Sequence, residues 1–334
     1  MTNPVDPRDG GKLIPHPRSA LPRIAFGTSE RGDSIYYAAV ILASLASWLT
    51  ALLPHGLLSR IARLVGWISV RRTSVYKANI QANFSHVTDQ PADSQLVQDL
   101  VRTAFTTNAL NVIDLLEIPH LKRREFERRI KVTSGSLAVL DSAMDSGRGA
   151  IIITAHLGPF DFVASYLRVL GYPLSALTAR TTGRFAFHFT TFLRGSQNMR
   201  VIETSSGGLR QALRLLQQGE MLILLSDRDF FLSGRETRFF GETTTLPVGA
   251  IRLARDTGVP IIPYFAYREH DHYQLALGKP VTIARTDNRS ADIAAGVAQL
   301  SKVLEAAISR KPGQWVLFQR VWPDKSAADD QSQG

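Results

Sequence analysis

The sequence predicts an α/β protein: a mostly parallel central sheet flanked by helices, with an N-terminal helical, membrane-associating segment. Three observations predict it. From about residue 131, short apolar runs alternate with segments of helical periodicity. Gly and Pro punctuate the joins between them, as at Gly158-Pro159 and Gly258-Val259-Pro260. Upstream, residues 34 to about 130 show helical periodicity alone, opened by a stretch from Ser34 to Ser59 with no Asp, Glu, Lys or Arg.

Residues 1–33 are rich in Pro, Gly and charge and are expected to be a disordered tail, as is 324–334. Within the helical region (34–130), "YYAAVILASLASWLTALL" (Tyr36–Leu53) is almost wholly apolar and ends at Pro54. Its length reaches that of a transmembrane helix only marginally, and Ser44, Ser47 and Thr50 dilute it. "GLLSRIARLVGWISVRR" then sets Arg60, Arg63, Arg71 and Arg72 beside Trp67 and aliphatic residues, the composition of a helix lying in an anionic lipid interface. Burial of both helices against the rest of the chain is the competing reading. Monotopic or interfacial attachment is expected ahead of a true span. "SVYKANIQANF" and "SQLVQDLVRTAFTTNALNVIDLLEI" continue the helices.

The α/β core is expected over 131–323. Strands are read at Ala150–Ala155, "LSALTA", "RVIET", "EMLILLSD", "PIIPYFAY" and "QWVLFQ". Helices are read at "SGSLAVLDSAM", Phe162–Leu170, Phe185–Arg194, "GLRQALRLLQQG", "PVGAIRLARDTG" and Ser290–Arg310, with a polar hairpin over His272–Ala284.

Composition narrows the function. The chain has 334 residues, 44% of them hydrophobic and 20% charged, enough for a large core or a core with a substantial appendage. It has no cysteine, which excludes disulfides, thiol catalysis and Cys-ligated metals. Net charge is +10 with Arg well ahead of Lys, pointing to an anionic partner. The densest basic cluster, "LKRREFERRIK", is broken by Glu125 and Glu127 and reads as a solvated helix face. No helix-turn-helix, zinc-finger or RNA-recognition signature accompanies it, so a membrane surface or phosphorylated substrate is expected rather than nucleic acid.

The most informative stretch is "RGAIIITAHLGPFDF". His156 falls on a strand-to-helix turn, and Asp161 falls near the helix start that Pro159 favours. On one unbroken helix the two would diverge; across a turn the carboxylate reaches the imidazole, holds one nitrogen and leaves the other to take a proton from a hydroxyl. Spacing alone leaves open a plain alternative, a helix N-terminal carboxylate and a turn histidine. Strand carboxyl ends collect ligand and catalytic groups in open α/β sheets, which favours the catalytic reading.

A second constellation, Ser226-Asp227-Arg228-Asp229, follows the apolar "MLILL". Asp227 and Asp229 fit a D-x-D metal site of a glycosyltransferase, or carboxylates bracing an anion site around Arg228. Arg180 ends a strand and Arg194 lies late in the next helix; with Arg228 they would line a phosphate-binding cleft. The loop from Arg238 to Pro247 is read as apolar and Gly-rich, with Phe239 and Phe240 either capping the core or lining an acyl channel. The phosphate-loop, G-x-G-x-x-G and G-x-S-x-G signatures are missing.

Taken together, "AHLGPFDF" resembles the H-x4-D/E motif of the bacterial lipid A biosynthesis acyltransferases and the related phosphatidylinositol mannoside acyltransferases. "LLSDRDFFLSGRETRFFGETTTLPVGAIRLARDTGVPIIP" is similar to that family's second block, and "KPGQWVLFQRVW" to its aromatic and basic close. The likeness covers roughly residues 35–323. One departure is Pro159-Phe160 where the family commonly has Asn-Trp. The resemblance implies acyl transfer from a thioester donor, acyl-CoA or acyl carrier protein, to a hydroxyl of a membrane glycolipid on the cytoplasmic face of the inner or plasma membrane. It implies no metal or other cofactor. His156 would be general base and Asp161 its orienting partner, with Arg180, Arg194, Asp227, Arg228 and Asp229 around the substrate. A metal-dependent glycosyltransferase and a non-catalytic lipid-binding relative are the alternatives.

Overall fold

The computed structural model describes residues 34–322 apart from residues 73 and 181–182; the expected tails lie outside the described residues. Helices α1 (Ser34–Ala51), α2 (His55–Arg72), α3 (Ser74–Thr88), α4 (Gln95–Glu117) and α5 (Arg123–Arg129) lead the chain. There follow β1 (Ile130–Val132), α6 (Ala138–Asp145), β2 (Ala150–Thr154), α7 (Phe160–Val169), β3 (Leu174–Thr178), α8 (Arg184–Gly195), β4 (Arg200–Glu203) and α9 (Ser206–Gln217). The last elements are β5 (Met221–Leu225), β6 (Arg235–Phe239), β7 (Glu242–Leu246), α10 (Gly249–Thr257), β8 (Ile261–Arg268), β9 (Tyr273–Leu277) and α11 (Arg289–Arg310).

Seven strands form one sheet in the order β1-β9-β8-β2-β5-β3-β4, parallel throughout except where β8 meets β9. This is the predicted class. The central strands are apolar on both faces because each face is covered. Ile151, Ile153 and Leu222 pack into a core with α3, α9, α10 and α11, whereas Ala150, Ile152, Met221 and Ile223 pack oppositely with α6, α7 and α8. Polar caps fix several helix starts: Ser94 accepts from the Val97 amide, Ser205 from Gly208 and Asn288 from Ala291.

Helix α4 joins the two layers. Val97, Val101 and Phe105 from its first half enter one core, and Leu115 and Leu116 from its end enter the other. Between them, the Asn111 side chain donates to the Gly158 carbonyl at 2.9 Å, just past the carboxyl end of β2. α4 therefore crosses the carboxyl end of the sheet. Both α1 and α2 pack on it, α2 closely enough that a Cβ on Gly66 would stand 2.7 Å from the Thr106 Cα. Only every fourth residue of α1 is buried (Ala39, Ala43, Ser47, Thr50), leaving the rest of an apolar helix outward. Of the 22 large apolar side chains exposed among the described residues, 16 lie between Ile35 and Tyr76, so the outward apolar surface is concentrated on these leading helices.

Two expected elements differ. The loop expected from Arg238 to Pro247 is instead part of an antiparallel hairpin, β6–β7, whose connection Phe240-Gly241 has φ of 49° and 78°, the doubly positive turn that suits strand twist. Its second strand is the Thr-rich "ETTTL", β-branched residues that favour a pleated surface. Phe239 is fully buried and stacks on Trp322 at 5.6 Å, which makes it a core residue. Conversely, "QWVLFQ" is an extended segment outside the sheet, joined to the β2–α7 loop through a Leu157–Trp315 bridge. Its backbone is taken up by that loop and by Asn83, which donates to Leu317 and Gln319.

Gly158 has φ of 58°, and a Cβ there would stand 2.1 Å from the Ala266 carbonyl oxygen. Gly158→Ala is expected to cost about 2–4 kcal/mol in urea unfolding, combining backbone strain with a clash that cannot relax. Gly56→Ala, with nothing within 4 Å of the added carbon, is expected to leave stability unchanged or slightly raised.

Candidate active site

Strands β2 and β5 lie side by side with Thr154 opposite Leu225. Two residues further along each strand stand His156 and Asp227. Equal offsets from a shared register bring them together at the carboxyl edge. The Asp227 Oδ1 is 2.9 Å from the His156 Nδ1. Its Oδ2 accepts from the His156 backbone amide at 2.9 Å and from the Trp315 indole N–H at 2.8 Å. Asp227 is fully buried, and burial disfavours its ionised form. The imidazole beside it and the three hydrogen bonds outweigh that penalty and hold its carboxyl below the ordinary carboxylate range.

An ionised Asp227 can only accept, so Nδ1 carries the proton of that bond, and Nε2 has no hydrogen-bond partner among the described residues. The His156 side chain is 19% exposed. Phe160 and Phe230 present their rings at steep angles to it, with centroids 5.9 and 6.2 Å away. The imidazole thus has one nitrogen clamped by a carboxylate and the other without a hydrogen-bond partner among the described residues, with two aromatic rings beside it.

The expectation that Asp161 holds the imidazole is corrected by this geometry. Asp161 lies in the first turn of α7, but its two oxygens accept from the Arg194 Nε and Nη2 at 2.8 and 2.9 Å. The physical reason is shape: the planar guanidinium arriving from α8 matches a carboxylate bidentately. β5, meanwhile, delivers another carboxylate straight to the histidine. Arg194 is thus engaged by Asp161, and Arg180 by Glu203 at 2.7 Å. Both of these arginines therefore have a carboxylate partner.

Arg228 differs from the other two. Its guanidinium lies over the Phe230 ring at 4.7 Å, and its Nη1 has no hydrogen-bond partner among the described residues. It lines a cleft of about 310 Å³ with Thr243, Thr245 and Trp322. Asp229 organises the loop below, accepting from the Gly234 amide at 2.6 Å and the Phe231 amide at 3.3 Å. The two carboxylates of the D-x-D therefore serve different donors. No group of three or more His, Asp or Glu side chains suited to a metal occurs among the described residues.

Residues that sequence reasoning did not single out hold the histidine loop. Val316 N–H donates to the His156 carbonyl at 2.7 Å, and Gly158 N–H to the Gln314 carbonyl at 2.9 Å. The Gln314 side chain bonds both the amide and the carbonyl of Arg268. Arg268 in turn reaches Asn111 at 3.0 Å and Asp114 at 2.6 Å, and Tyr273 donates to Asp114 at 2.7 Å. The Tyr264 hydroxyl donates to the Phe160 carbonyl at 2.7 Å, and its burial pushes its pKa well up. Asn111 and Asp114, three apart on α4, carried the available signal: two polar residues inside an apolar helical run.

Comparison with known proteins points the same way. Residues 28–324 match the family model described as bacterial lipid A biosynthesis acyltransferase. The chain is 24% identical over 247 residues to the phosphatidylinositol mannoside acyltransferase of Mycolicibacterium smegmatis, covering 73% of this chain and 78% of that one. It is 25% identical over 213 residues to the Mycobacterium tuberculosis protein of the same name, covering 63% of this chain and 66% of that one.

Because Asp227 has a lowered folded-state pKa, its ionisation stabilises the fold above the ordinary carboxylate range, and this contribution is lost as pH falls through the lowered value. Asp227→Asn is expected to remove that part of the acid dependence. Urea unfolding free energies of parent and variant then converge toward acid pH. Trp315→Phe, which deletes one donor and keeps the ring, is expected to shift the parent's acid limb to higher pH.

Proposed function

The chain belongs to the bacterial lipid A biosynthesis acyltransferase family and is an acyltransferase of glycolipid biosynthesis; on that premise we propose how it works and on what. It moves a fatty acyl group from a thioester, acyl-CoA or acyl carrier protein, onto a hydroxyl of a membrane glycolipid. The observation that carries this reading is the His156 ring held through Nδ1 by a buried carboxylate, with Nε2 free.

In the reaction, Nε2 takes the proton of the acceptor hydroxyl as its oxygen attacks the thioester carbonyl. The carbonyl becomes a tetrahedral oxyanion, for which the positive end of α7 supplies stabilisation. Its collapse breaks the carbon–sulfur bond, and the departing thiolate takes the proton back from Nε2. The products are an ester and a free thiol, with no covalent enzyme intermediate. Asp227 keeps Nδ1 protonated and stabilises the transient imidazolium. Asp161 and Arg194 act as a brace that ties the first turn of α7 to α8, a positioning role in place of direct contact with the imidazole. Arg228, which lines the 310 Å³ cleft, is proposed as the arginine that meets a donor phosphate.

The apolar surface of α1 and α2 supports monotopic attachment. α1 is long and apolar enough to cross a membrane, yet its buried stripe packs on α4 and α8, and α4 crosses the sheet end that carries His156. Seated on the cytoplasmic surface of a membrane through these helices, the protein would present His156 toward lipid headgroups while soluble thioester donors approach from water.

His156→Ala is expected to lower turnover about 10²–10⁴-fold with unchanged unfolding behaviour. Asp227→Asn is expected to fall in kcat by a comparable factor, because the amide no longer fixes the tautomer. Asp161→Asn leaves Nε2 and Nδ1 as they are, so its expected loss is smaller and accompanied by a lower melting temperature. Full activity in purified His156→Ala would refute the mechanism. Activity is expected to survive EDTA, which a metal-dependent glycosyl transfer through the D-x-D would not.

A further inference from the structure

A second cleft, of about 630 Å³, opens between the start of α2, the end of α5 and the β8–β9 turn. Five arginines line it against two carboxylates. Most of these charges already have partners. Arg129 pairs with Glu117 at 2.8 Å and Arg268 with Asp114 at 2.6 Å. Glu269 is held by Lys311 at 2.6 Å, and Asp271 by His272 at 2.7 Å. Arg60, Arg63 and Arg128 are left exposed, with no ion pair among the described residues. Three like charges around one hollow repel one another, and an anion with several oxygens offsets that cost through the planar guanidinium forks.

The position of Arg60 says which anion. At about 100° per residue, Arg60 lies roughly 40° from Leu64 and 60° from Leu57 around α2. Leu57, Ile61, Leu64 and Val65 form the exposed apolar stripe of that helix, 41–57% accessible. The cationic hollow therefore borders a surface suited to acyl chains. A cationic pocket at headgroup depth beside an apolar stripe matches a phospholipid, with phosphate in the pocket and chains along the helix.

We propose that the cleft lined by Arg60, Arg63 and Arg128 binds the headgroup phosphate of an anionic membrane phospholipid, at a site separate from His156. Because the assay reads binding and not acyl transfer, it stands or falls independently of the catalytic reading. The full chain is to be titrated with vesicles of phosphatidylcholine alone and of equimolar phosphatidylcholine and phosphatidylglycerol, at low and high salt. Each arginine near an anionic surface contributes about 1 kcal/mol, or about fivefold in affinity. Arg60→Gln/Arg63→Gln/Arg128→Gln is thus expected to lose about 100-fold of the preference for mixed vesicles while binding neutral ones as the parent does. Arg71→Gln/Arg72→Gln, on the same helix outside the cleft, is expected to lose far less per charge removed. Equal loss per charge in the two variants would show diffuse attraction and overturn the site. A thermal shift by inorganic phosphate matched by no vesicle preference would show a soluble-phosphate site and overturn the lipid assignment. Should the triple variant fail to fold, Arg60→Gln, Arg63→Gln and Arg128→Gln are each expected to lose about fivefold, and no loss in any of them overturns the proposal.

Discussion

The carboxylate of Asp227 is the point on which the geometry around His156 depends. It is fully buried, where an ionised group persists only if its oxygens are well satisfied, and it collects the histidine ring, the histidine amide and an indole N–H. The ring and the amide both belong to His156 in the β2–α7 loop, and the indole comes from the extended segment that follows α11. Losing the anion would leave three donors pointing at one poorly matched acceptor. The ion therefore organises its surroundings as much as it tunes the imidazole, and the register between β2 and β5 sets its placement.

Around that centre the architecture solves a problem of access. On the proposed reading, a lipid hydroxyl meets a water-borne thioester, which needs a site that faces both phases. The sheet supplies a rigid edge, and α4 lies across it with α1 and α2 packed on its outer side. Close approach at Gly66 lets α2 sit flat on α4, so these helices are coupled to the body that carries His156. Burial of small residues along one stripe of α1 leaves its larger apolar residues exposed.

Much of this was legible in the sequence. Periodicity located the central strands and the long helices, because buried parallel strands are continuous apolar runs and their flanking helices are amphipathic. His156 at a strand end was visible for the same reason. Its partner was not: sequence proximity favoured Asp161, while the pairing depends on which strand lies beside β2. β5 is inserted between β2 and β3 although the chain reaches it only after β4, and no local pattern encodes that insertion. Asp227 had been noticed, but as half of a D-x-D whose second carboxylate instead ties up a loop. The β6–β7 hairpin escaped because Phe240 is a poor turn residue by type, and its left-handed backbone is imposed by core packing of the neighbouring Phe239. Gln314, Trp315 and Arg268 gave no sign of their role for a shared reason: the contacts that matter span more than forty residues of sequence.

The clamp around the histidine has a consequence for biosynthesis. Its components enter the chain in the order Asn111, His156, Asp227, Arg268 and finally Gln314, Trp315 and Val316. A nascent polypeptide that has already emerged through α11 owns the base and its carboxylate but lacks the indole donor and the backbone amide that pin the loop. Full assembly of the histidine clamp thus coincides with the arrival of one short aromatic stretch, after the leading helices and the sheet have been synthesised. Order of synthesis thereby puts the apolar helices first and the completed clamp last, with the final stretch as the timing element.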